Sequence, residues 1–233
     1  MEAISFEQFA DNRAVVHHDT QGELLPVFQL GFHQTDSPHR SQVEQFIHQR
    51  FSHQYQADVR SYLPLLLSAT SPSGISAALG FQVAGDTRLF LEQYLDNDIE
   101  TALSLITDTR AQRQRIVEIG NLASGRQRAT QTLFLLLAQL LHDAGYGWVV
   151  FTANRAVRIW LARMHLPGFV IREADPQRLA DKGASWGSYY DDQPVVLAMN
   201  IEHSFSRMNQ TTLMGQLRDS YTAQLNQFLT QLP

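Results

Sequence analysis

Glu118 and Asn121 are the side chains whose type and spacing best suit chemistry. They lie in Arg115–Ser124 (RIVEIGNLAS), an apolar run that reads as a buried strand. Strand alternation would send residues three apart to opposite faces. Gly120 stands between them, and a glycine inside a strand often marks a bulge, which shifts the alternation by one residue. A bulge at Gly120 turns both side chains to one side and bends the strand away from its parallel neighbour. The wedge that opens admits a ligand and offers it backbone N–H groups near Ile119 and Asn121. Carboxylates are rarely buried without a partner or a purpose. Glu118 is therefore a candidate general base, with Asn121 beside it as a second catalytic candidate. A glycine that only relieves crowding, with Glu118 at a solvated strand end, would leave the same pattern.

The next residues, Ser124, Gly125, Arg126, Gln127, Arg128, Ala129 and Thr130, open a long helix. Free N–H groups and the helix dipole make such a start an anion site, and two arginines add charge. Phosphates of a nucleotide carrier are natural occupants; a solvated helix start with surface arginines is the alternative. The loop lacks the Gly-Lys-Ser/Thr ending of a phosphate-binding Walker loop. Strand, bulge, loop and helix in this order suit the holding of an acyl thioester by its phosphate end. In Trp186–Asp192 (WGSYYDD) a hydroxyl of Tyr189 or Tyr190 could protonate a leaving thiolate or orient a substrate. Adjacent tyrosines also suit half-buried packing. Phe90–Asp96 (FLEQYLD) offers Glu92 and Asp96 as substrate contacts, or as a surface acid and a helix cap. The nine histidines show no metal-ligand spacing, so no metal is expected.

The chain has 233 residues, 44% of them hydrophobic, a net charge of −5 and no cysteine. That balance gives no broad attraction to nucleic acid or anionic lipid. Thiolate catalysis and disulfides are excluded. Residues 1–13 show no secretory apolar core. The greasiest run, Leu133–Leu141, is far shorter than the roughly 20 residues of a membrane span. The expectation is a soluble, cytoplasmic protein with no integral membrane segment.

The elements that must position these residues follow from periodicity. A first strand is expected over 26–32 and a helix over 39–57. Apolar runs at 63–69 and 75–84, separated by TSPSG, predict a hairpin. Asp96 is expected to cap a short helix through Ile99, Leu103 and Ile106. Leucines 133, 136, 137, 140 and 141 mark the long helix, and Gly145 stops it. Residues 148–152 read as a strand buried on both faces, as parallel strands are. A helix over 155–165 ended by Pro167 and Gly168, a strand over 169–171, a helix from Asp175-Pro176, a strand over 194–199 and a terminal helix from Asn209 complete the order. The result is an α/β fold with a mixed sheet.

Three segments together, Phe90–Asp96, Ile116–Ala123 and Trp186–Tyr190, resemble the bacterial thermostable hemolysin family from about Leu30 to about Met199. That family in turn is similar to the GNAT acyltransferases, nearest to the acyl-homoserine-lactone synthases. The resemblance implies one GNAT-like domain over 1–233, with a core of about 26–200 and an amphipathic helix of about 208–231. It implies a splayed mixed sheet flanked by helices, whose fourth and fifth strands part to hold pantetheine, with Ser124–Thr130 as the pyrophosphate loop. Gly125–Ala129 is a loose version of the GNAT loop, which leaves room for an acyl carrier protein in place of acyl-CoA. Trp160 stands where many GNAT enzymes carry a tyrosine acid, so Tyr189 or Tyr190 becomes the candidate. Asn121 stands where the lactone synthases have arginine, which argues for a different acceptor.

The expected activity is transfer of a fatty acyl group from acyl-CoA or acyl-acyl-carrier-protein to a small amine acceptor, giving a lipid-like signal or surfactant. Glu118 takes the amine proton, and Glu92, Tyr94, Phe151 and Trp186 contact substrate. Two other readings stand beside it: a hemolysin acting directly on lipid, and a catalytically silent acyl-binding module.

Overall fold

Among the described residues seven strands, numbered along the chain, form one open sheet in the order 1-2-3-4-5-7-6. The computed structural model describes residues 28–107, 110–166 and 168–233. Strand β1 (Gln29–His33) leads into helix α1 (Arg40–Tyr55), then the hairpin β2 (Leu65–Ser71) and β3 (Gly74–Val83). A 3-10 turn at Phe90–Tyr94 precedes α2 (Ile99–Thr107) and β4 (Ile116–Ser124). Helix α3 (Gln127–Asp143), β5 (Trp148–Ala153), α4 (Arg155–Arg163) and β6 (Phe169–Glu173) follow. The chain ends with β7 (Val195–Asn200), α5 (Ile201–Met208) and α6 (Thr212–Leu229). The splayed mixed sheet flanked by helices is the fold that the resemblance implied. Pro26 and Val27 of the expected first strand, and the helix-ending Pro167, lie outside the described residues.

Helix α3 explains why the long helix forms where it does. Leu133, Leu136, Leu137, Leu140 and Leu141 are all buried in the larger core with α5, α6 and one sheet face. Each such leucine contributes about 2 kcal/mol. Gly145 ends the helix with φ +77, a left-handed position that favours glycine. The opposite sheet face carries α1, α2 and the 3-10 turn, in two smaller apolar clusters.

Several expectations need correction. Asp96 does not cap α2. Its carboxylate pairs with Arg172 and Arg178, while a Glu92 oxygen accepts from the Ile99 N–H at 2.9 Å. The Asp175-Pro176 signal yields only a 3-10 turn, Pro176–Arg178, with Asp175 accepting from the Gln177 N–H. Strand β5 is parallel to β4 but antiparallel to β7. The expected terminal helix is preceded by a second one, α5, and the two are separated around Asn209–Thr211. The apolar face of α6 (Met214, Leu217, Tyr221, Leu225, Phe228) is buried against the core. The Tyr221 hydroxyl accepts from Phe28 N–H at 2.8 Å and donates to Phe28 C=O at 3.1 Å.

Candidate active site

The site begins where β4 leaves β5. The two strands pair in parallel from Ile116↔Trp148 to Ile119↔Phe151. Pairing then ends, although β4 continues to Ser124 and β5 to Ala153. On its other edge β4 gains a residue. Gly80 pairs with Gly120, but the next pair is Ala78↔Ala123, so three steps on β4 match two on β3. Asn121 adopts φ +51 within this bulge. The bulge therefore lies at Asn121–Leu122, one residue beyond the glycine expected to make it. Gly120 serves a close approach instead: a Cβ there would sit 3.0 Å from Leu63. Gly80 makes room in turn for Asn121, whose Oδ1 would lie 2.9 Å from an added Cβ.

A cleft of about 370 Å³ occupies the opening. One end is formed by Thr130, Gln131 and Phe134 of α3 with Val157 and Trp160 of α4. The other end lies between the close of α1, the 58–63 segment and the 179–189 loops. Glu118, Ile119, Gly120 and Asn121 form its wall between these ends, with Phe151 of β5, and Tyr94, Trp186 and Tyr189 also line it.

Glu118 is 4% exposed. Its carboxylate accepts from the N–H groups of Phe90 at 2.8 Å and Leu91 at 2.9 Å. Burial pushes its pKa up to about 7, against the lowering effect of those two N–H groups. A carboxylate held there is matched to proton transfer near neutral pH.

Asn121 also reaches the wall, but both ends of its amide are engaged by protein. Oδ1 accepts from Leu63 N–H at 2.8 Å, and Nδ2 donates to the Ser61 carbonyl at 3.1 Å. It is a positioning residue that ties the 61–63 segment to the bulge. Glu92 lies outside the cleft. Arg113 bonds both its oxygens, at 2.6 and 3.0 Å, and Leu89 and Ile99 N–H groups complete the shell. Burial opposes its charge, yet these donors hold its pKa below the ordinary value.

The tyrosines divide differently from expectation. Tyr94, 1% exposed, lines the cleft, and its hydroxyl lies 2.5 Å from that of Tyr190, which is not on the cleft wall. Burial raises both, Tyr190 to about 12 and Tyr94 further still. Tyr189 lines the cleft, and its hydroxyl donates to Thr152 C=O at 3.4 Å. This aromatic loop is latched to α1: Ser188 N–H donates to Tyr55 C=O at 2.8 Å and Asp58 N–H to Ser185 C=O at 2.7 Å. Gly187 is obligatory there, because an added Cβ would meet the Tyr55 oxygen at 1.9 Å.

The anion loop is also partly committed. The N–H groups of Gly125 and Arg126 both donate to Ser76 C=O, at 2.9 and 3.0 Å, and the Arg126 guanidinium bonds the Ser73 hydroxyl. Thr130 donates to Ser124 Oγ at 2.7 Å. The first intrahelical bond runs from Thr130 N–H to Arg126 C=O. The N–H groups of Gln127 and Ala129 precede it in the first turn and have no acceptor within the helix. Sequence reading missed Phe90 and Leu91, whose backbone holds Glu118, and Arg113, whose partner is 21 residues away. It also missed Tyr55 and Asn154, joined at 3.1 Å across the cleft end. Among these, only the Asn154 helix cap leaves a local signal. Among the described residues no group of three or more His, Asp or Glu could hold a metal ion.

A sheet that parts between two parallel central strands, with a carboxylate on the wall, defines the GNAT-like architecture, and solved structures agree. FeeM, an N-acyl amino acid synthase from uncultured soil microbes, superposes with a TM-score of 0.54 at 9% identity, covering 81% of this chain and 98% of FeeM. TofI in an apo form gives 0.52 at 12% identity, covering 80% and 99%. BjaI, a CoA-dependent acyl-homoserine lactone synthase bound to SAM and isopentyl-CoA, gives 0.50 at 12%, covering 82% and 88%. Among curated proteins no sequence match is found. The thermostable hemolysin family profile matches residues 33–205, so the chain belongs to that family.

Proposed function

We propose that this protein is an acyltransferase that moves a fatty acyl group from a thioester to an amine. The observation that carries the reading is the buried Glu118 on the wall of the cleft opened by the β4–β5 splay. The thioester arm enters beside α3 and α4, with its phosphate at the start of α3, against the N–H groups of Gln127 and Ala129. Acyl-CoA and acyl-acyl-carrier-protein present the same phosphopantetheine arm, and either serves as donor. Apolar Leu79, Ile119, Phe134, Val157 and Trp160 of the lining suit an aliphatic chain.

Glu118 takes a proton from the acceptor ammonium, and the freed amine attacks the thioester carbonyl. A backbone N–H near Ile119 or Asn121 stabilises the oxyanion. The C–N bond forms, the C–S bond breaks, and the attacking nitrogen's second proton passes to the departing thiolate, leaving an amide, a free thiol and protonated Glu118. Tyr189, Trp186 and Phe151 shape the acceptor space. Thioesters of this kind are made in the cytoplasm, so the reading assigns the reaction there. The fold shared with FeeM and BjaI supports acyl transfer as the class; the acceptor rests on the wall residues alone.

Direct membrane damage is the weaker reading. No helix among the described residues is long and apolar enough to cross a membrane, and the apolar face of α6 is already covered. The test is mass spectrometry of lipid extracts from cells expressing the wild type and Glu118→Gln. An acylated amine present only with the wild type supports transfer. Identical extracts, with dye release from liposomes by pure protein, overturn it.

A further inference from the structure

We propose that the acceptor is an aromatic or similarly apolar primary amine that carries no carboxylate of its own. This deepens the acyltransferase reading and rests on it. The charges on the cleft wall favour a cation. Asp58, Glu118 and Asp181 face it against one cation, Arg60. Arg60 is paired within the wall, its Nε donating to both Asp58 oxygens at 2.9 and 3.0 Å. Asp181 keeps its negative charge, since donors from Ser185 and Gly183 lower its pKa. An acceptor carboxylate would enter a cleft whose wall carries a net like charge. An acceptor ammonium meets the opposite sign.

Four uncharged donors on the wall point the same way. Asn121 donates to Ser61 C=O, Gln93 to Phe90 C=O, Asn154 to the Tyr55 hydroxyl, and Tyr62 to Val59 C=O. A carboxylate drawn in would have to compete with these acceptors for the same four side chains. Rings supply the remaining surface. Tyr55 and Tyr189 stand edge to face at 5.3 Å, Trp186 lies 5.4 Å from Tyr189, and Phe90 lies 5.7 Å from Trp186. Rings in this arrangement pack against an aryl or alkyl body, and their faces attract a cation. Acid and aromatic character thus share the cleft with Glu118, which awaits an ammonium on the wall between its ends.

The test compares 2-phenylethylamine, L-phenylalanine and 3-phenylpropanoate, which differ only in which charged groups they carry. Their binding to the purified full-length protein is measured by calorimetry at pH 8. The amine is expected to bind at least about tenfold more tightly than phenylalanine, with the propanoate weakest. Asp58→Asn releases Arg60 and is expected to cut the amine-to-phenylalanine preference at least about threefold. Asp58 is exposed, and an unchanged thermal midpoint verifies that the variant folds. Phenylalanine binding as tightly as the amine, or no binding of the amine, overturns the proposal. Turnover with octanoyl-CoA and with octanoyl-acyl-carrier-protein is measured separately. Amine binding without any acylated product strikes down the acyltransferase reading while leaving the charge selectivity standing.

Discussion

Replacing Glu118 by Gln tests the centre of the site through stability as well as rate. The native carboxyl has its pKa raised from 4.5 to about 7, chiefly by burial. A folded-state pKa above the unfolded one means that the native protein binds the proton more tightly. The stability this contributes is fully present below about pH 4.5 and is lost as pH rises through 7. A rise of about 2.5 in pKa corresponds to roughly 3 kcal/mol. Glutamine has no such titration, and every other carboxylate titrates alike in both proteins. The difference in unfolding free energy, variant minus wild type, should therefore grow by roughly 3 kcal/mol between pH 4 and pH 8.5. In a domain of this size that is a relative gain of roughly 10 °C in the variant's midpoint. Denaturant unfolding at several pH values reads it directly. In the same range wild-type kcat/KM should rise to a plateau with a midpoint near 7. The variant should lack that limb and lose at least about a hundredfold in rate. Parallel stability curves for the two proteins would show that Glu118 is not held at a raised pKa. A rate limb centred near 4.5 would show that the acting base is a solvated carboxylate elsewhere.

Three further outcomes follow from the same contacts. Arg113→Met leaves Glu92, 3% exposed, without its cation, and should cost roughly 3–5 kcal/mol at neutral pH. Because Glu92 has a lowered pKa, that loss should shrink as pH falls through its folded value; a neutral substitution in urea unfolding would refute the ion pair. Asn121→Ala removes two hydrogen bonds and places a methyl at φ +51, for a cost of roughly 2–3 kcal/mol. Asn121→Gly keeps the backbone comfortable and should fall between alanine and wild type, an order that equilibrium unfolding can check. Gly187→Ala drives a Cβ into Tyr55 C=O and should undock the loop bearing Trp186 and Tyr189, seen as a red-shifted tryptophan emission and weaker amine binding. Unchanged emission would mean that the latch is dispensable.

What the residues announced by themselves was local. The leucine steps of α3, the Gly145 stop, the TSPSG hairpin and the buried run around Glu118 each depend on neighbours a few positions away. Periodicity and turn chemistry report such neighbours directly. Even the break from alternation near Gly120 could be read, because glycine in a strand is conspicuous.

Tertiary structure decided the rest. Glu118 takes its two N–H donors from residues 27 and 28 positions away, and Asn121 its partners from 58 and 60 away. No pattern along the chain marks such pairs. They arise when β4 is brought beside β3 and the 3-10 turn folds over it. The bulge fell at Asn121 because Gly80 and Leu63, from other elements, set where space existed. The apolar stripe of α6 was visible in the sequence, but whether it would face lipid or protein was settled only by packing onto α3 and Phe28. Side-chain spacing encodes which face is apolar; burial, partner and charge state follow from what the completed fold places against that face.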